Sequence, residues 1–314
     1  MEVIRHIASH ARRFRGPVVT LGSFDGVHRG HQAILGTVVG DARARGDEAV
    51  VLTFEPHPVA VLRPGHAPPV LTPLAERLRL IAAAGIDVVV LQRFTRAFAA
   101  HTAEEFVAAF VVERLRAAKV VAGHSVSFGR ERRGNAELLA ELGAAHGFAV
   151  QVVGPVLVDG HAVSSSGVRR AIAAGDVRLA ATLLGRPHRV RGRVVRGAGR
   201  GARIGVPTAN LRLRPGMLPP EGVYAVRTVV AGVARPGVAN LGRNPTFGPD
   251  APATLEVHLF DFAGDLYGAP CEVGFVERLR GEVRFPSVDA LVDQIRRDAA
   301  AARTLLARDD AREE

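Results

Sequence analysis

The sequence predicts two joined folds: a Rossmann-like α/β domain at the N-terminus, then an antiparallel β-barrel closed by a C-terminal helix. Three observations carry this. Strand-like and helical runs alternate through the first half, the grammar of a parallel sheet covered by helices. After about Leu184 the long helical patterns stop, and β-branched runs separated by Gly- and Pro-rich turns take over. The length, 314 residues, exceeds what one ordinary domain needs. The boundary is expected near Gly185, giving domains 1–185 and 186–314.

In the first half, Val18–Leu21, Ala49–Phe54, Asp87–Leu91, Lys119–Ala122 and Ala149–Val153 read as strands. Good helix formers fill Gln32 to Arg45. Thr72 before Pro73 predicts an N-cap followed by proline at the first helical position. Thr102 with Glu105 three residues on predicts a capping box, and Asn135 is placed to cap AELLAELGAAHG. In the second half the strand candidates are Val190–Val195, Gly222–Val230, Val233–Leu241, Thr254–Phe262 and Cys271–Leu279. An amphipathic helix from Ser287 to about Arg308 closes the chain, with Leu291, Ile295, Leu305 and Leu306 as apolar positions.

With 47% hydrophobic residues the chain can bury a sizeable core, yet no apolar run approaches a membrane span. The N-terminal MEVIRHIASHARRF lacks the apolar stretch of a secretory signal. Cys271 is the only cysteine, so there is no disulfide framework and a cytoplasmic enzyme is expected. The net charge is +10, and Lys119 is the only lysine. From Arg186 to Pro215 there are nine arginines and no acidic residue, a field that attracts polyphosphates. No aromatic residue lies in that segment, which argues against a stacking platform for nucleic acid. Phosphorylated small molecules are the expected partners, with no membrane and no nucleic acid; homo-oligomerisation is left open.

The stretch GSFDGVHRGH, residues 22–31, sits between a predicted strand and helix. A lone H-x-x-H pair is often structural, or half of a metal site wanting a third ligand; His57 has no spacing that marks it as one. Anion binding explains more of the residues. Free backbone N–H groups and the macrodipole at a helix start favour phosphate, and Gly22, Gly26 and Gly30 let the backbone approach it. His28 and His31, about one turn apart, are placed to donate to a phosphorus centre whose charge grows in the transition state.

The same residues carry a resemblance. GSFDGVHRGHQ resembles the H-x-G-H signature of nucleotidylyltransferases, and FDGVHRGH is similar to that of bifunctional bacterial FAD synthetases, which join FMN adenylyltransferase to riboflavin kinase. TFEPHP (53–58), ERLRLIAAAGIDVV, FTRAFAAHTAEEFV and VSSSGVRRAI (163–172) follow in family order. The resemblance implies that His28 and His31 stabilise the transition state as FMN phosphate attacks the α-phosphorus of ATP. It places Gly22, Phe24, Asp25, Gly30, Ser164, Ser165 and Arg169 at the nucleotide, and Pro56, Pro58 and Ser125 at the flavin. Mg²⁺ accompanies the ATP.

In the second half, GRGARIGVPTANL (199–211) is glycine-rich and basic without being a Walker loop. Thr208 and Asn210, two apart, point the same way on a strand, and their oxygens suit a hard cation. Glu256 in TLEVHLFDF reads either as a solvated residue or as a general base for a hydroxyl nucleophile. GVPTANL resembles the Pro-Thr-Ala-Asn motif of riboflavin kinases, and GVYAV, NLGRNPTFG, LEVHLFDFAGDLYG and RLRGEVRFPSVDALVDQIRRD follow in order. The resemblance implies that Thr208 and Asn210 hold Mg-ATP, that Glu256 activates the ribityl 5′-hydroxyl, and that the Gly197–Gly205 loop, with Gly199, Gly201 and Gly205, covers the phosphates.

Two places depart from the family pattern. Ser125 and Val126 replace an amide or carboxylate and an aromatic, and Gln92-Arg93 stand where an apolar residue and Pro are common. The first departure predicts adenylyl transfer that is weaker or altered in substrate, beside an intact kinase. At its limit the chain would be a riboflavin kinase with a degenerate or redirected first domain.

Overall fold

The computed structural model describes residues 1–7, 12–197, 199, 201, 204–243 and 253–313. The chain divides into two compact units, Met1–Ser165 and Ser166–Glu314.

The first unit is a six-stranded parallel sheet. Its strands are β1 (Glu2–Arg5), β2 (Val18–Leu21), β3 (Ala49–Glu55), β4 (Val88–Arg93), β5 (Lys119–Gly123) and β6 (Ala149–Val153), in the order β1-β4-β3-β2-β5-β6. β2 and β3 are apolar on both faces because helices cover both. On one face Val18, Val51, Val89 and Val121 pack with Leu35, Val38 and Ala42 of α1 (Arg29–Arg45) and Ile81 of α3 (Leu74–Ala83), α2 being Pro58–Leu62. On the other, Val19, Leu52, Val90 and Val120 meet Phe106, Phe110 and Leu139.

That second layer holds α4 (Arg96–Ala99), α5 (Ala103–Phe106), a π-helical continuation over Val107–Arg114, and α6 (Ala136–His146). The Thr102–Glu105 capping box and the Asn135 cap form as expected. Thr72 does not cap α3. Its N–H donates to the Asp25 carboxylate, Pro73 takes the cap position without a side-chain bond, and the helix begins at Leu74. The π-helix carries no sequence signal beyond an ordinary apolar run.

Chain order reverses at β2, with β3 on one side and β5 on the other. β2 pairs with β3 along all four residues but with β5 only at Val18 and Val19. The two strands therefore part before their C-terminal ends, opening the crevice where open α/β sheets bind ligands.

A two-stranded ribbon, β7 (Leu157–Val158) and β8 (His161–Ala162), leads into α7 (Ser165–Ala174) and α8 (Val177–Leu184). The second unit's barrel comprises β9 (His188–Val195), β10 (Ala209–Leu213), β11 (Gly222–Val230), β12 (Val233–Arg243), β13 (Ala253–Leu259) and β14 (Pro270–Arg280). It closes in the order β10-β13-β12-β11-β14-β9, every pairing antiparallel. Val194, Leu211, Tyr224, Leu241, Leu255, Val257, Val273 and Phe275 fill its interior. β10 was expected only as the strand carrying Thr208 and Asn210, without bounds, and it begins at Ala209; the strand expected over Thr254–Phe262 ends at Leu259. Helix α9 (Val288–Glu313), opened by the Ser287 hydroxyl accepting from the Ala290 N–H, lays Ala302 and Leu306 against Val223, Val238 and Val276 outside the barrel. Asp298 on that helix takes a forked pair of bonds from Arg280, fixing its azimuth.

Candidate active sites

The first site begins where β2 ends. Phe24 at φ 50° and Val27 at φ 40° occupy a backbone region that bulky and β-branched side chains rarely adopt. Such strain persists only where the surroundings fix it. Asp25 between them supplies the fixing. Its carboxylate accepts the Leu71 and Thr72 N–H groups at 3.0 and 2.9 Å, and its carbonyl accepts the Ser165 hydroxyl at 2.8 Å. Gly22 and Gly30 lie against the Phe24 and His28 rings, where an added Cβ would stand 3.3 and 3.2 Å away.

His28 is the N-cap of α1, its Nδ1 accepting the His31 N–H at 3.2 Å. An accepting Nδ1 leaves the proton of a neutral ring on Nε2. His31 stacks on it with ring centres 3.7 Å apart and planes 13° from parallel, and Phe24 closes the other side at 5.0 Å. The His31 Nδ1 is buried without a hydrogen-bond partner. Burial, reinforced by the neighbouring His28, holds the His31 pKa well below its ordinary 6.5.

One residue escaped the sequence reading. Arg77 of α3 is buried and donates to the carbonyls of Ser23 and Phe54 and to the Glu55 carboxylate, tying the motif turn to the end of β3. The available signal was an arginine four residues before Ile81 on the buried stripe of a short helix. Beyond β3, Pro56 follows a cis peptide bond and Pro58 opens α2. The His57 Nδ1 accepts the Val59 N–H as the cap of α2. Ser125 is exposed just past β5, whereas Val126 packs against the core. Ser164 precedes α7 and Ser165 begins it; Arg169 lies on α7 in the second compact unit. Among the described residues no group of three His, Cys, Asp or Glu could hold a metal.

The second site lies on the outer face of the barrel. Asn210 on β10 stands directly opposite Glu256 on β13, and Glu256 directly opposite Asn240 on β12. Opposed residues share a face, so the three side chains form one row across three strands. Leu255 and Val257 turn inward, which sends Glu256 outward. Thr208 precedes β10 by one residue, with its strand entry held by the His258 Nδ1 at 2.8 Å from the Pro207 carbonyl.

Two glycines of the loop lie close to these residues, Gly197 to Asn210 and Gly201 to Thr208. A Cβ at Gly197 would stand 2.4 Å from the Asn210 amide nitrogen. One at Gly201 would stand 2.4 Å from the Val206 carbonyl and 3.1 Å from the Thr208 hydroxyl. Residues 198, 200, 202 and 203 of the expected Gly197–Gly205 cover, and 244–248 of NLGRNPTFG, lie outside the described residues. A second missed residue is Glu282, whose carboxylate lies beside Gly242, in the space a Cβ there would take. Burial, then repulsion from Glu221, raises its pKa. It sits in the β14–α9 connection, 26 residues beyond Glu256, where nothing local marks it.

The two halves match two family models. One for FAD synthetase covers residues 10–167, and one for riboflavin kinase covers residues 184–306. The chain is 42% identical to the bifunctional riboflavin kinase/FMN adenylyltransferase of Pseudomonas fluorescens over 98% of both chains.

The chain belongs to the bifunctional riboflavin kinase/FMN adenylyltransferase family.

Other relatives in the family are the Escherichia coli K12 protein, 42% identical over 96% of this chain and 97% of its own, and the Bacillus subtilis protein, 36% identical over 91% of each. A crystal structure from Streptococcus pneumoniae, described as a macrolide-efflux protein, superposes with a TM-score of 0.88 at 34% identity, covering 96% of this chain and 99% of that one. Among the described residues here no helix is long and apolar enough to cross a membrane. Both structural halves of the family fold are present: the parallel sheet with its split at β2 and β5, and the six-stranded barrel with its closing helix.

Proposed function

We propose that the chain makes FAD from riboflavin in two ATP-consuming steps, phosphorylation to FMN by the C-terminal barrel and adenylylation of FMN by the N-terminal α/β domain. The observation that carries this is near-full-length identity of 42% to bifunctional relatives, with both family models matched in sequence order. We put the functional division at Gly185, giving 1–185 and 186–314; the FAD synthetase match ends before it, at residue 167, and the riboflavin kinase match starts beside it, at residue 184.

In the kinase step Glu256 takes the proton of the ribityl 5′-hydroxyl as that oxygen attacks the γ-phosphorus, and ADP leaves. The opposed Asn210–Glu256 register supports this pairing of base and nucleotide-holding residue. Thr208 and Asn210 would hold Mg²⁺ through oxygen, and their crowding by Gly197 and Gly201 fits a loop lying close over phosphates. The ion's chemistry is to neutralise charge on the phosphate oxygens.

In the second step an FMN phosphate oxygen attacks the α-phosphorus and pyrophosphate leaves. The His28 Nε2–H donates to the oxygens on that phosphorus, and the α1 N-terminus adds its backbone N–H groups. Gly22, Phe24, Asp25 and Gly30 shape the turn that aims them, with Ser164, Ser165 and Arg169 at the phosphates and Pro56, Pro58 and Ser125 at the flavin. The lone thiol, Cys271, is buried and its pKa is pushed up to about 11, an inert group that suits the reducing cytoplasm.

The test incubates purified protein with riboflavin, excess ATP and Mg²⁺ and separates the flavins by chromatography over time. FMN is expected first and FAD after it, more slowly because Ser125 and Val126 weaken recognition. Equal efficiency of the two steps removes that last point. FMN without FAD confines the activity to the barrel, and unchanged riboflavin overturns the reading.

A further inference from the structure

Buried polar atoms without hydrogen-bond partners gather at the C-terminal edge of the first sheet: Thr20 Oγ1, His31 Nδ1, Arg77 Nε and Gln92 Oε1. Such atoms destabilise a protein unless something else uses them. His31 belongs to the motif turn and Arg77 braces it, while Thr20 lies on β2 just before it. Gln92 belongs to neither the turn nor its support.

Gln92 is the second-last residue of β4 and only 9% exposed. Its Nε2 donates to the Arg93 carbonyl at 3.2 Å, and its Oε1 has no partner. Directly across the strands stands Phe54, and Phe94 lies two residues on, so all three share one sheet face. The Phe54 ring meets Phe94 and Phe98 at 5.7 Å each. Two residues past Phe54 comes Pro56, then Pro58, the loop assigned above to the flavin. A lone amide acceptor set in aromatic surface beside that loop suits a planar aromatic ligand with a donor on its edge. The oxidised isoalloxazine carries one N–H, the imide at N3.

We propose that Gln92 determines flavin specificity in the adenylyltransferase, its Oε1 accepting the N3–H of the isoalloxazine while the neighbouring phenylalanines contact the ring. This rests on the reading of the first domain as an FMN adenylyltransferase.

The test uses the full chain with Mg-ATP and either FMN or N3-methyl-FMN, in the wild type, Gln92→Leu and Gln92→Met. Wild type is expected to lose about tenfold in kcat/KM on the methylated flavin, the loss of one hydrogen bond to a buried acceptor. Both variants should treat the two flavins alike, with the KM for ATP unchanged. Their melting temperature without flavin should hold or rise, since an unpartnered acceptor is removed; a purely structural Gln92 would lower it. FAD formation with the preference unchanged in both variants, or no preference in the wild type, overturns the role of Gln92 alone. No FAD from either flavin in the wild type overturns the adenylyltransferase reading and this proposal with it.

Discussion

The His28 and His31 rings lie face to face, 3.7 Å between centres, and the same two residues are joined by a hydrogen bond from the His31 N–H to the His28 Nδ1. One histidine thus orients the other while capping the helix that carries both. The arrangement gives the pair a division of labour. His28 accepts at Nδ1, which makes Nε2 its donor; His31 has a buried, unpartnered Nδ1.

His31→Ala is expected to cost adenylyl transfer on the order of 10²–10³-fold, the usual consequence of removing a donor to developing charge. Riboflavin phosphorylation in the same protein should be nearly unchanged, because the barrel has its own core and site. Separate assays of the two steps check this. Loss of both would point to a folding defect instead.

The stack also sets a pH dependence. Folded His31 binds its proton only well below 6.5, whereas the unfolded chain takes it up near 6.5. As pH falls through that value the unfolded state holds more protons, so stability falls with it. The expected result is a lower urea midpoint for the first unit at pH 5.5 than at pH 7.5, with the difference reduced in His31→Asn. A midpoint that rises on acidification would contradict the sign.

Asp25→Ala should destabilise the first unit by roughly 2 kcal/mol, since hydrogen bonds to a charged acceptor are worth about 1.5–3 kcal/mol and two backbone donors lose theirs. Adenylyl transfer should fall further than the stability loss explains, because the strained Phe24 and Val27 conformations depend on this brace. Thermal unfolding with kinetics below the transition separates the two effects. Asp25 lies in the motif and invites a ligand role, yet its carboxylate faces backbone donors.

How much of this was legible beforehand depends on range. The caps at Thr102 and Asn135 and the turn 22–31 follow from residues within a few positions of one another, and they form as read. Thr72 misleads because its partner, Asp25, is 47 residues away. The bounds of β10 were hidden by its Gly- and Arg-rich lead-in, since a strand only five residues long is specified by its neighbours in a closed barrel. The Asn210–Glu256–Asn240 row is likewise a product of register. Thr208 and Asn210 were visible as a pair because a spacing of two survives in the sequence; their relation to Glu256 was not.

Gly197→Ala should cripple the kinase while sparing adenylylation of supplied FMN. Its Cβ would stand 2.4 Å from the Asn210 side chain, so either the loop lifts or the amide turns away from its place beside Glu256. The KM for ATP is expected to rise along with the loss in kcat. A variant with wild-type riboflavin phosphorylation would show that the loop and Asn210 act independently.

Glu256→Gln tests the row itself. The amide keeps the size of the side chain and its place opposite Asn210 and Asn240, but it cannot accept the hydroxyl proton. A general base contributes about 10²–10⁴-fold, so kcat for riboflavin phosphorylation should fall by that order while the KM values for riboflavin and ATP move little. Glu256→Asp should recover part of the rate, because a carboxylate remains on the same strand position one methylene short. A large rise in KM with kcat preserved would instead make Glu256 a binding residue and leave the proton without an assigned acceptor. Glu282 would then be the next group to change: its carboxyl, beside Gly242 two residues along β12 from Asn240, has its pKa raised by burial, the direction a general base requires.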